Sequence, residues 1–202
     1  MKRVAVLASG RGSNLAALIA AQSAFTSYRV ALVVSNVDGS GALALARDAQ
    51  VEALSVPSRG LPRDEHERLV ASALSSRSID MVCLAGYMRV LGLTFMDGIR
   101  LPILNIHPSL LPAFPGMHAQ RQAIVAGVRW SGATVHFVDA GLDSGPIILQ
   151  EPVRVEPEDT DGSLSARILE AEHALYPQAV DIVARGAYEI RDRTVRLGPP
   201  RT

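Results

Sequence analysis

An asparagine and a histidine two residues apart, Asn105 and His107, stand where the apolar run Leu101, Ile103 and Leu104 gives way to prolines. The stretch reads NIHPSLLPAFPG over residues 105–116, and four prolines fall between Pro102 and Pro115. On a strand, residues i and i+2 face the same side, about 6.6 Å apart. An amide N–H and an imidazole converging on one atom suit a developing oxyanion, as in acyl transfer. The imidazole can also move protons near neutral pH. The prolines stiffen the loop that follows without needing backbone N–H partners. For an isolated Asn-x-His pair, a satisfied polar couple at a strand end is the simpler reading, but HPSLLP is an expensive way to build a mere turn.

Three other places carry chemistry. The loop SGRGSNL (9–15) follows an apolar run, and Gly10 and Gly12 allow a tight turn close to a ligand. Ser13 or Asn14 then starts a helix, whose free N–H groups attract a phosphate; the competing reading is that Ser13 or Asn14 is only an N-cap. A dinucleotide is disfavoured, because Leu15 stands where the fingerprint needs a third glycine and the second strand ends in Ser35-Asn36 rather than an acid. In DAGLDSGPII (139–148), Asp139 and Asp143 lie in a glycine-rich loop between apolar strands. An aspartate there can orient and charge a histidine, or the segment is a plain turn. Glu172 shares a helix face with Ile168, Leu175 and Ala179, where an acid is costly unless paired or bound to a cation. A buried salt bridge accounts for it equally well. His118, His136 and His173 lack any metal-ligand spacing, so no metal site is expected.

The elements that must position these residues alternate. Continuous apolar runs at 4–9, 29–36 and 80–86 and a short one at 52–57 predict buried parallel strands, with helices at 14–24, 41–50 and 63–77 between them. This is a doubly wound, Rossmann-like sheet. Helix 63–77 is expected to bury Leu69, Val70, Ala73 and Leu74. After residue 100 the pattern shifts to strands at 102–106, 132–139 and 146–155 with hairpin-length links, a mixed or antiparallel half. Residues 132–139 alternate, with Thr134, His136 and Val138 on one face. A long helix at 161–186 carries Pro177 as an expected kink, and the tail holds a weak final strand and a frayed end. One domain over 1–202 is expected, with halves at 1–100 and 101–202.

Twenty basic and twenty acidic residues cancel, so neither nucleic acid nor a membrane surface is an expected partner. The single cysteine, Cys83, lies in an apolar run and supports no disulfide framework. No stretch resembles a signal peptide or a membrane span, which predicts a soluble protein of a reducing, cytoplasmic compartment.

Five motifs in order, VAVLASGRGSNL, DMVCLAGYMRVL, NIHPSLLPAFPG, GATVHFVDAGLDSGPIILQ and EAEHALYP, resemble the folate-dependent phosphoribosylglycinamide formyltransferases over nearly the whole chain. The resemblance implies formyl transfer from 10-formyltetrahydrofolate, as co-substrate, to the amine of glycinamide ribonucleotide, without a metal. It assigns Asn105, His107 and Asp143 to catalysis. It assigns Gly12, Ser13 and Asn14 to the ribonucleotide phosphate, and Glu172 to the glycinamide substrate. It assigns Arg63, Met88, Arg89, Val90, Leu91, Asn105 and the loop Asp139, Ala140, Gly141, Leu142 and Asp143 to the folate. In this scheme Asn105 and protonated His107 stabilise a tetrahedral oxyanion and Asp143 keeps His107 charged. Gln120 departs from the histidine of several relatives, and His118 is expected to sit behind the site. The Leu111–Pro112 bond is a candidate for cis. The partners are small molecules, with a monomer or homodimer expected.

Rival readings share parts of this pattern. Formyltetrahydrofolate hydrolases share the catalytic set but are expected to carry a further N-terminal domain. Methionyl-tRNA and sugar-nucleotide formyltransferases share HPSLLP-type motifs but usually lack the glycine-serine-asparagine loop. A non-catalytic folate- or nucleotide-binding protein would not need Asn105, His107 and Asp143 together.

Overall fold

The computed structural model describes residues 1–199. The chain forms two compact units, Met1–Leu104 and Asn105–Thr202.

In the first unit the apolar runs become β1 (Lys2–Leu7), β2 (Tyr28–Ser35), β3 (Glu52–Ser55) and β4 (Met81–Leu84), all parallel in the order β3-β2-β1-β4. Between them lie α1 (Ser13–Ala20), α2 (Gly41–Asp48) and α3 (Arg63–Ser75), with α4 (Leu93–Ile99) after β4. Val4, Ala5, Val6, Leu7, Val33 and Val34 are fully buried, as strands covered on both faces must be. β1 ends at Leu7, two residues before the expected boundary, and Ala8 and Ser9 belong to the loop. α4 escaped the sequence reading because seven residues containing Gly98 give too little periodicity. The buried face of α3 also differs from expectation: Leu69 is 48% exposed, and His66 and Glu67 are buried beside Val70, Ala73 and Leu74. The two polar residues have partners inside, described below, so they displace the leucine from that face.

β5 (Ile103–His107) includes both Asn105 and His107. Pro102 stays outside it and gives its carbonyl to the Val82 N–H. The second unit continues with α5 (Ala119–Val125), β6 (Trp130–Phe137), β7 (Ile147–Arg154), α6 (Asp161–Ala184), β8 (Tyr188–Arg191) and β9 (Thr194–Leu197). Its strands lie in the order β5-β6-β7-β9-β8. β6 and β7 are antiparallel, β9 joins β7 in parallel through Thr194 and Ile147, and β8 and β9 are antiparallel. The mixed half is as expected, but the tail holds a hairpin of two strands rather than one weak strand. The frayed end falls largely outside the described residues. Residues 131–137 are all buried, so the alternation of β6 does not mark a wet face. α6 runs through Pro177 as one helix, opened by a Thr160–Ser163 capping box. α5, seven residues long, was also missed.

Gly132 lies opposite Pro152 in the β6–β7 ladder. A Cβ there would strike the Glu151 carbonyl oxygen and come within 2.8 Å of Leu110 Cδ2. Gly132→Ala should therefore lower unfolding free energy by at least about 2 kcal/mol, read as a lower urea midpoint with unchanged slope. An unchanged midpoint would mean that β7 yields freely at this point.

Candidate active site

The proline-rich turn after β5 is fastened from beneath by two buried hydroxyls and by the amide of Gln150, an exposed residue of β7. Thr134, fully buried on β6, donates its hydroxyl to the Ser109 carbonyl at 2.7 Å and accepts the Leu111 N–H at 3.1 Å. Gln150 on β7 donates to the Leu111 carbonyl and to Thr134 Oγ1, each at 2.9 Å. Ser109 Oγ donates to the Ala113 and Phe114 carbonyls at 2.5 and 3.3 Å. Phe114 is held at φ 55, a left-handed conformation costly for a bulky residue, where its carbonyl also meets His107 Nε2 at 2.9 Å. The Leu111–Pro112 bond is cis.

Asp143 is the centre of the site. It sits at φ 49 in the β6–β7 loop, its side chain 12% exposed. One oxygen, Oδ2, accepts the Gly116 N–H at 2.8 Å and lies 3.3 Å from His107 Nδ1. The other, Oδ1, accepts from Asn105 Nδ2 at 3.4 Å and lies 3.7 Å from His136 Nε2. The reach between Asp143 and His107, which the sequence left open, is therefore present.

Donor and acceptor roles follow from what faces each ring. His136 Nδ1 meets the Phe137 carbonyl at 2.8 Å. A carbonyl only accepts, so Nδ1 carries the proton and, in the neutral ring, Nε2 is an acceptor. Burial pushes the His136 pKa below its usual value, against the opposing pull of the Phe137 carbonyl and Asp143, so the neutral ring is favoured. Nε2 can then accept from Asn105 Nδ2 at 3.2 Å. His107 differs: its two nitrogens face the Phe114 carbonyl and the Asp143 carboxylate, both acceptors, and only the doubly protonated ring donates to both. The sequence reading set His136 aside as a scattered histidine. Its i, i+2 relation to Thr134 on β6 was the only available signal, since its contact with Asn105 is long-range.

In the first unit, Gly12 at φ 88 caps α1, which starts at Ser13 with no side-chain cap. Neither Ser13 nor Asn14 is the N-cap, so simple capping does not explain them. A Cβ on Gly12 would lie 2.9 Å from Ala42 Cα, and the Ala42 N–H donates to the Gly10 carbonyl at 3.0 Å. Only glycine permits this approach of loop and α2. Ser9, which the sequence did not single out, fixes the loop: its hydroxyl donates to Asn36 Oδ1 at 2.5 Å and accepts the Met88 N–H at 2.8 Å. Asn36 also donates to Ser58 Oγ at 3.1 Å, so the position an acid would occupy in a dinucleotide site is tied within the protein.

Met88 and Val90 stand out at 70% and 67% exposure, while Leu91 is buried. Arg89 donates to the Ser58 carbonyl at 3.3 Å, and Arg63 is paired with Glu67. In the second unit, Asp139 Oδ1 accepts from Ser144 Oγ at 2.6 Å and from the Gly141 N–H at 3.1 Å, while Ala140 and Leu142 face outward. Glu172 is buried on the α6 stripe with Ile168, Leu175 and Ala179, as the periodicity required. His118 is exposed at the start of α5. Among the described residues no helix is long and apolar enough to cross a membrane, and no group of three or more His, Cys, Asp or Glu residues is placed to hold a metal ion.

The first unit is a parallel sheet with a glycine loop after β1, and the second is a mixed sheet that carries an Asn-His-Asp cluster on β5 and the β6–β7 loop. Residues 2–180 match the family described as formyl transferase, and the chain belongs to that family. A phosphoribosylglycinamide formyltransferase of Bacillus subtilis is 38% identical over 192 residues, covering 89% of this chain and 93% of that protein. The structure is similar to a glycinamide ribonucleotide transformylase of Symbiobacterium toebii, with a TM-score of 0.95 and 45% identity, over 98% of this chain and 94% of that one. It is also 44% identical over 189 residues to the trifunctional purine biosynthetic protein adenosine-3 of Drosophila melanogaster, where 92% of this chain spans 14% of that protein's length.

The burial of His136 gives stability a pH dependence. The native pKa of His136 lies below the unfolded value of about 6.5. As pH falls through that value the unfolded chain takes up a proton that the native ring resists, so stability falls. His66, pushed down chiefly by burial, acts in the same direction. Urea unfolding should show a lower midpoint at pH 5.5 than at pH 7.5, and His136→Gln should shrink that difference. An equal difference in the variant would sink the assignment.

Proposed function

We propose that this protein transfers the formyl group of 10-formyltetrahydrofolate to the amino group of glycinamide ribonucleotide, a step of purine biosynthesis, in the cytoplasm. The observation that carries the reading is the Asp143 carboxylate, which gathers Asn105, His107 and the Gly116 N–H around one point in a chain of this family.

In this mechanism the substrate amine attacks the formyl carbon and an oxyanion develops on the formyl oxygen. Asn105 supplies one donor. Of its two N–H bonds, the one to Asp143 at 3.4 Å is longer than the one to His136 at 3.2 Å, and it is the one the oxyanion replaces. Protonated His107 supplies the other donor by releasing the Phe114 carbonyl while Nδ1 stays on Asp143. Preorganised donors of this kind stabilise charge without reorganising solvent. Asp143 holds His107 charged and, through water, relays the proton lost by the attacking amine to the leaving nitrogen of the folate. Gly12, Ser13 and Asn14 hold the ribonucleotide phosphate at the start of α1, and Glu172 receives the glycinamide end. Arg63, Met88, Arg89, Val90, Leu91 and residues 139–143 receive the folate.

The test is loss of formyl donor measured with and without glycinamide ribonucleotide. Turnover that requires the ribonucleotide supports the transfer; turnover with donor alone indicates a hydrolase, and donor binding without turnover a binding protein. His107→Ala should lower kcat by roughly 10²–10⁴-fold with the fold retained, and a near-normal rate would remove its role. Ser13→Ala should raise the ribonucleotide KM about tenfold and leave the folate KM alone. Equal changes in both would undo the phosphate assignment.

A further inference from the structure

We propose that Glu67 is a positioning residue for the formyl-donor side of the site: its carboxylate fixes both the 87–92 segment and Arg63. The inference rests on the assignment of residues 88–91 to the folate.

Glu67 is 8% exposed on a helix whose neighbouring buried positions are mostly apolar. A buried carboxylate is costly unless donors meet it. Here one oxygen, Oε1, accepts the Gly92 N–H at 2.7 Å and the Arg63 Nε–H at 3.0 Å. Gly92 is the N-cap of α4 and has no side chain of its own for the task. Glu67 thus does for Gly92, from another helix, what the third residue of a capping box does for its N-cap: it accepts the N-cap N–H. A Cβ on Gly92 would lie 2.9 Å from the second carboxylate oxygen, so the glycine is what lets the carboxylate come so close. The preceding residue holds the other end. His66 stacks on Tyr87, ring centres 6.5 Å apart, and its Nε2 is anchored on the Val56 carbonyl at 3.0 Å. Between these two fixed ends Met88 and Val90 project into solvent. Apolar side chains exposed to this degree keep one arrangement only if the backbone beneath them is held. The same oxygen orients the half-exposed Arg63 guanidinium through its Nε.

The test uses Glu67→Ala and Glu67→Gln in the full chain. Hydrogen exchange of the Gly92 amide should quicken at least about tenfold in Glu67→Ala. The KM for 10-formyltetrahydrofolate should rise about tenfold, as expected for one charge-assisted hydrogen bond, with kcat and the ribonucleotide KM within about twofold. Glu67→Gln, which keeps the shape and removes the charge, should raise the same KM by a smaller factor and serves if the alanine variant fails to fold. Unchanged exchange at Gly92, or equal rises in both KM values, would overturn the proposal. Val90→Asp separates the two layers of the argument. If it leaves the folate KM unchanged, the assignment of 88–91 to folate has failed. If it raises that KM while both Glu67 variants do not, the role of Glu67 has failed.

Discussion

A carboxylate taken most of the way out of water must be given hydrogen-bond donors, and Asp143 is where that constraint shapes the second unit. Its side chain is 12% exposed and its two oxygens face Asn105, His107, His136 and the Gly116 N–H. To bring the last of these within 2.8 Å, the turn after β5 must fold back on the strand. That requires Gly116 at φ 81 and Phe114 at φ 55, and the strain is borne by Thr134, Gln150 and Ser109, which anchor the turn to β6 and β7. The prolines contribute stiffness, but the direction of the loop comes from these hydroxyl and amide hydrogen bonds. Its polar groups, once satisfied, specify one geometry more sharply than apolar packing would.

The first unit answers to a different constraint, the close approach of two backbones. Gly12 has room for hydrogen alone against Ala42, and a Cβ on Gly41 would lie 3.0 Å from the Arg11 carbonyl oxygen. This packs the glycine loop onto the start of α2, while Ser9 ties it to Asn36 and Met88. The start of α1 is thereby held in place, with a glycine at its N-cap.

The parallel strands were legible because residues buried on both faces leave unbroken apolar runs, and the long helix because Ile168, Glu172, Leu175 and Ala179 keep one face over three turns. Asn105, His107 and Asp143 were legible as chemical types and through the order of five motifs. What was not legible was decided by distant partners. Leu69 gives up its place on α3 because His66 and Glu67 find Tyr87 and Gly92, more than twenty positions away. β6 loses its wet face because neighbouring elements cover both sides, which alternation alone cannot foresee. α4 and α5 are each too short to show a period. His136 was missed because a polar residue within a buried strand shows nothing of the group it will meet.

The orientation of the Asn105 amide illustrates how much such partners decide. Its Nδ2 faces His136 Nε2, which in the neutral ring favoured by burial is a lone pair because Nδ1 donates to the Phe137 carbonyl, and it faces a carboxylate oxygen of Asp143. Turning the amide over would set its carbonyl oxygen against both acceptors at once, two repulsive contacts in a poorly solvated place. The Phe137 carbonyl therefore fixes the His136 tautomer, and that tautomer with Asp143 fixes which end of Asn105 is the donor. A carboxylate at position 105 could not replace it, since it would offer acceptors to acceptors. The capacity to donate at this point thus belongs to a chain of four residues on β5, β6 and the β6–β7 loop, Phe137, His136, Asn105 and Asp143, of which only the last two stand out in the sequence.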